Sequence, residues 1–137
     1  MKTTIILLSL VGIATLAAAT PLACTSSCVI DAATTGYSTA VFDVKAGTPL
    51  VWRSTDIGHI QQDGVTGSGG CLSVPVSGGA DSAPVVLTLA GGQLLGSVDS
   101  APAEPCANAQ ALPDGSFALP YFCRIHATMR GTLVVSP

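Results

Sequence analysis

The sequence is poor in charge, in aromatic rings and in imidazole. Charged residues make up 9% of the 137, aromatic residues 4%, and the histidines are two, His59 and His126. Five basic residues stand against eight acidic ones, for a net charge of −3. With so few Lys and Arg the chain has no basic face to neutralise phosphates, which excludes nucleic acid and anionic membrane surfaces as partners. No stretch holds a helical period over ten residues, which argues against a helical bundle. Beyond the N-terminus no apolar run is long enough to span a bilayer. Any centre that needs many imidazoles is excluded as well.

The N-terminus has the anatomy of an export signal. Met1-Lys2 is a short positive start, Ile5 to Leu16 an apolar run, and Ala17-Ala18-Ala19 a set of small residues suited to cleavage. Residues 1–19 are therefore expected to be a signal peptide and residues 20–137 a single domain, secreted, or periplasmic if the source is bacterial. Loss of Lys2 leaves Lys45, Arg53, Arg124 and Arg130 against the eight acidic residues, a net charge of −4. Leu22-Ala23-Cys24 loosely resembles a lipobox, with Pro21 a poor match, so a lipid anchor at Cys24 is an open alternative.

What is present in quantity is glycine, proline and short β-branched runs. Strands are expected over residues 28–31, 39–45, 50–53, 71–76, 84–89, 94–98, 117–123 and 131–135, with Gly- and Pro-rich turns between them. That pattern predicts an all-β Greek-key β-sandwich of about seven to eight strands. Ser54 to Gly58 reads as a polar connection leading into His59, and Asp63 to Gly70 as a Gly-rich loop.

Five cysteines are an odd number for an oxidising compartment: Cys24, Cys28, Cys71, Cys106 and Cys123. If Cys123 binds metal, the other four can close two disulfides. Three connectivities are open to them, and Cys71–Cys106 with Cys24–Cys28 is the favoured one.

Cys123, His126 and Met129 follow one another as Cys-x-x-His-x-x-Met between two expected strands. Thiolate and thioether are soft ligands and imidazole is a borderline one. Two histidines and a cysteine with a weak axial methionine are the donor set of an electron-transfer copper. The loop supplies three of the four, and His59 is the single further histidine available.

The closing segment, with Tyr121, Cys123, His126, Met129 and then Arg130-Gly131-Thr132-Leu133-Val134-Val135, resembles the cupredoxins, the small blue-copper proteins. The short ligand loop is amicyanin-like, within the amicyanin and plastocyanin branch. Upstream, Val44-Lys45-Ala46-Gly47 through Thr55-Asp56-Ile57-Gly58-His59 is similar to the first-ligand region of pseudoazurin. The resemblance covers roughly residues 39 to 137 and is specific at its two ends.

It implies one type 1 copper held by His59, Cys123, His126 and Met129, with His59 on a strand that ties the two sheets together. It also implies single-electron transfer by Cu(II)/Cu(I) cycling and docking of redox partner proteins near His126, in a monomer. The family often carries Asn directly after its first histidine, where it supports the ligand loop; Ile60 stands there instead.

The alternative function is copper binding or sequestration without a dedicated redox partner, which the same four ligands would serve. Enzymatic readings fare worse. A multicopper oxidase needs a trinuclear site and many more histidines. A thiol hydrolase using Cys123 with His126 as base lacks an oxyanion motif nearby. Zinc on Cys123, His126 and His59 leaves Met129 unexplained. The protein is therefore expected not to be an enzyme.

Overall fold

The computed structural model describes residues 23–66 and 70–137. The expected signal peptide at residues 1–19 and part of the Gly-rich loop, residues 67–69, lie outside them. Twelve strands occur among the described residues: β1 (Cys28–Ala33), β2 (Gly36–Tyr37), β3 (Val41–Lys45), β4 (Pro49–Ser54), β5 (His59–Asp63), β6 (Ser73–Val76), β7 (Val85–Ala90), β8 (Gln93–Val98), β9 (Glu104–Pro105), β10 (Gln110–Ala111), β11 (Phe117–Cys123) and β12 (Arg130–Ser136). No helix among the described residues is long and apolar enough to cross a membrane.

The strands form two sheets, ordered β2-β1-β4-β7-β8-β9 and β3-β12-β11-β5-β6, with β10 added to β11. Pairing is parallel between β1 and β4 and between β3 and β12, and antiparallel elsewhere. The expected all-β sandwich is borne out. The strand count is higher than the seven to eight expected, for two reasons. Three strands are two-residue pairings with no periodicity to detect, and β5 is too polar to read as a strand. Its sequence His-Ile-Gln-Gln-Asp has one aliphatic side chain, yet four of its five residues are buried.

The core forms where inward-facing side chains of both sheets meet. In β4, alternation turns Leu50, Trp52 and Ser54 inward and leaves Pro49 and Arg53 outside. Trp52 packs edge-on against Tyr121 of β11, ring centroids 5.4 Å apart, and Tyr37 of β2 meets the same tyrosine at 4.7 Å. Burying side chains of this kind contributes roughly 1.5–3 kcal/mol each.

Tyr121 has room because its cross-strand neighbour is Gly131. A Cβ at Gly131 would lie 2.5 Å from the Tyr121 Cζ. Gly131→Ala must displace that ring and is expected to cost about 1–3 kcal/mol, the usual penalty of overpacking. Urea unfolding measures it, and an unchanged midpoint would contradict the packing.

Both disulfides are the favoured ones, Cys24–Cys28 and Cys71–Cys106, and Cys123 is free and buried. Each staples one sheet to the other. Cys24 bridges to Val44 of β3 while Cys28 begins β1. Cys71 precedes β6, and Cys106 follows β9. In this structure the Cys24 sulfur is joined to Cys28.

Candidate metal centre

Three adjacent strands of one sheet assemble the centre. Cys123 ends β11, residues 124–129 form a tight loop, and β12 begins at Arg130. The loop is closed by its own backbone: the Cys123 N–H donates to the Met129 carbonyl at 3.0 Å, and the Met129 N–H to the His126 carbonyl at 2.9 Å. His59 opens β5, which pairs directly with β11 through Cys123↔Gln61. The expectation that His59 ties the two sheets together is therefore corrected. Its strand is the in-sheet neighbour of the ligand loop, so the donors come together across a single ladder.

The convergence is tight. Cys123 Sγ lies 3.8 Å from His59 Nδ1 and 3.6 Å from His126 Nδ1, and the two Nδ1 atoms are 3.2 Å apart. A triangle with those three sides has a circumradius of about 2.1 Å, so one point lies that far from all three donors. Metal–imidazole bonds are about 2.0–2.1 Å and metal–thiolate bonds about 2.3 Å, taking zinc as the gauge. The three donors are spaced so that they could hold one transition-metal ion between them.

Met129 is fully buried at the end of the loop, within the core cluster. His59 and Cys123 are buried and His126 is half-buried, so one imidazole alone reaches the surface.

Asp56, which sequence reasoning passed over, holds His59 from behind. Its Oδ1 accepts from His59 Nε2 at 2.8 Å, and its Oδ2 accepts from the Thr34 N–H at 2.7 Å. A carboxylate on Nε2–H fixes the tautomer with the Nδ1 lone pair facing the centre and makes that nitrogen a better donor. The carboxylate three residues before the histidine was the available signal.

At the next position, Ile60 supports the ligand loop without a side-chain amide: its backbone carbonyl accepts the Arg124 N–H at 2.8 Å.

Hydrogen bonding holds the Asp56 carboxyl well below the ordinary range and lowers those of Asp81 and Asp114. For Asp56 the donors are first the Thr34 backbone and then His59; for Asp81, the Arg53 guanidinium; for Asp114, the Ser116 hydroxyl and N–H. Burial pushes Asp43 the other way.

Depressed carboxyls contribute stability that is fully present above their unfolded value of 3.8 and is lost as pH falls below it. Asp43 runs opposite, favouring the fold below that value and losing this as pH rises through its raised pKa. With three against one, the melting temperature of the metal-free protein is expected to fall as pH drops from 4 to 2, and Asp56→Asn to reduce that fall. Equal melting temperatures at pH 5 and pH 2.5 would contradict the assignment.

No protein-family model matches the sequence, and no curated protein matches it. Among solved structures, the reduced form of a tryptophan-to-tyrosine mutant of amicyanin aligns with a TM-score of 0.52 at 20% identity. It covers 80% of this chain and 82% of that one. The Cu(I) form of a methionine-to-alanine mutant of amicyanin gives 0.51 at 21% identity with the same coverage. An oxidised methionine-to-leucine mutant gives 0.51 at 20%, covering 80% and 81%. The likeness shows the fold, and the cupredoxin-like sandwich expected from the sequence is the fold found.

Proposed function

We propose that this protein is a secreted electron carrier with one type 1 copper, held by His59 Nδ1, Cys123 Sγ, His126 Nδ1 and the Met129 thioether. The observation that carries the reading is the meeting of two imidazole Nδ1 atoms and a free buried thiol within 3.8 Å of one another. Copper bound there supplies one-electron chemistry between Cu(II) and Cu(I). The solved neighbours include amicyanin in a Cu(I) form, which agrees with that metal.

The chain's own residues do the rest. Asp56 keeps the proton of His59 on Nε2 and so leaves Nδ1 free to bind. The buried Cys123 and Met129 keep water from the sulfur donors. The backbone bonds that close the 124–129 loop tie its two ends together, which restricts rearrangement of the donors during transfer. His126 is half-buried beside Ile125, which is 57% exposed, and Ile57, two residues before His59, is 52% exposed. Redox partner proteins dock at this one accessible imidazole and the exposed apolar side chain beside it.

The domain is residues 20–137, released by removal of residues 1–19, and it works as a monomer without catalytic residues. Voltammetry and self-exchange kinetics on the copper-loaded protein test the role. A reversible one-electron wave with rapid self-exchange is expected. Tight copper binding with slow exchange would mark a sequestering protein instead.

A further inference from the structure

β5 is an unusual strand for a core, and Gln61 is its least explained residue. Alternation places His59, Gln61 and Asp63 on one face. Asp63 is fully partnered, accepting from the N–H groups of Gly70 and Leu72 and from Asn108 Nδ2. Gln61, with 0% exposure, is partnered on one side only. Its Oε1 accepts from the Tyr37 hydroxyl, while its Nε2 is buried without a hydrogen-bond partner.

Burying an unpaired amide is costly, and an aliphatic residue would fill the place without that cost. The position has a distinguishing neighbour. Gln61 stands directly opposite Cys123 in the β5–β11 ladder, a separation of about 4.5–5.5 Å between Cβ atoms. Tyr37 in turn is clamped against Tyr121 and lies within electrostatic reach of Cys123. The amide is therefore fixed at its oxygen end, on the residue that stands opposite Cys123 in the ladder, whose sulfur carries negative charge when it binds metal.

We infer that Gln61, held in place by Tyr37, is a positioning residue for Cys123, its free amide N–H serving the thiolate. The inference rests on the copper reading for its consequence. Partial positive charge beside the sulfur stabilises the more electron-rich form of the centre, and more so in a dry interior than in water. The reduction potential is raised by it.

Gln61→Met keeps the volume and removes the amide. The copper-loaded variant is expected to lose at least tenfold in the equilibrium for accepting an electron, a fall of 59 mV or more for a one-electron couple. Tyr37→Phe, which frees the amide oxygen, should shift the potential the same way by less. An unchanged potential in Gln61→Met overturns the inference, even if the melting temperature moves.

A metal-free readout stands beside it. The side-chain amide proton resonances of Gln61 are expected to differ between the wild-type protein and Cys123→Ala, and coincident resonances overturn the contact whether or not the glutamine variant folds. A wild-type protein that takes up copper without intense colour would sink the copper reading alone; the amide comparison would still decide the contact between Gln61 and Cys123.

Discussion

Cys123→Ser is expected to abolish the intense visible absorption of the copper-loaded protein and to weaken copper binding by more than about 100-fold. Loss of an outer partner of a metal ligand already costs 10–100-fold, and here an inner ligand is removed. The thiolate is the soft anionic donor of the set, and a serine hydroxyl at neutral pH is neither anionic nor soft. Two imidazoles and a thioether remain, enough to hold copper weakly and not enough to give the thiolate-to-copper transition.

A 100-fold loss of affinity removes about 2.7 kcal/mol of copper-dependent stabilisation at saturating metal. For a domain of this size that is on the order of 10 °C in melting temperature. The comparison is made with and without copper in both proteins. An equal copper-induced rise in the serine variant would contradict the assignment of Cys123 as a ligand.

The second large effect belongs to the disulfides, and it is unequal between them. Cys71–Cys106 closes a sequence separation of 35 residues and Cys24–Cys28 one of 4. Chain-entropy arithmetic at those lengths gives about 4 kcal/mol for the first and about 2 kcal/mol for the second. Against a typical total of about 5–15 kcal/mol, the first is a large share of the fold's stability.

Local packing adds to it, because Gly96 of β8 leaves room for Cys71: a Cβ there would come within 2.7 Å of the Cys71 carbonyl oxygen and 3.2 Å of its sulfur. Replacing Cys71 and Cys106 together by serine should therefore lower the melting temperature by roughly 15 °C, and the Cys24 and Cys28 pair by about half as much. Copper spectra of the folded variants should be unchanged, since neither bridge touches the donor atoms. Equal losses from the two pairs would contradict the account.

The candidate loop was legible because Cys123, His126 and Met129 fall within seven consecutive residues, and so short a segment keeps its spacing whatever the rest of the chain does. His59 was legible by scarcity, as the single further histidine. Its setting was not. β5 carries Gln61, Gln62 and Asp63 where a core strand ordinarily carries aliphatic side chains, so no alternation betrayed it. Its burial rests on particular partners, such as Tyr37 for Gln61 and Asn108 for Asp63, that lie 24 and 45 residues away.

The same distance problem hid the sheet to which His59 belongs. Register with β11 is a long-range fact, and local pattern carries none of it. Asp56 was passed over because a carboxylate in a polar turn is commonplace, and only the fold turns it toward the histidine. The disulfides came through well, since an odd cysteine count with one thiol claimed by metal leaves few pairings.

The most direct test of the central claim is the optical and EPR spectrum of the purified protein after loading with Cu(II). One copper per chain, an intense blue colour and a narrow copper hyperfine splitting are expected from the His59, Cys123, His126 and Met129 donor set. A colourless protein, or a wide splitting typical of ordinary nitrogen and oxygen coordination, would contradict it.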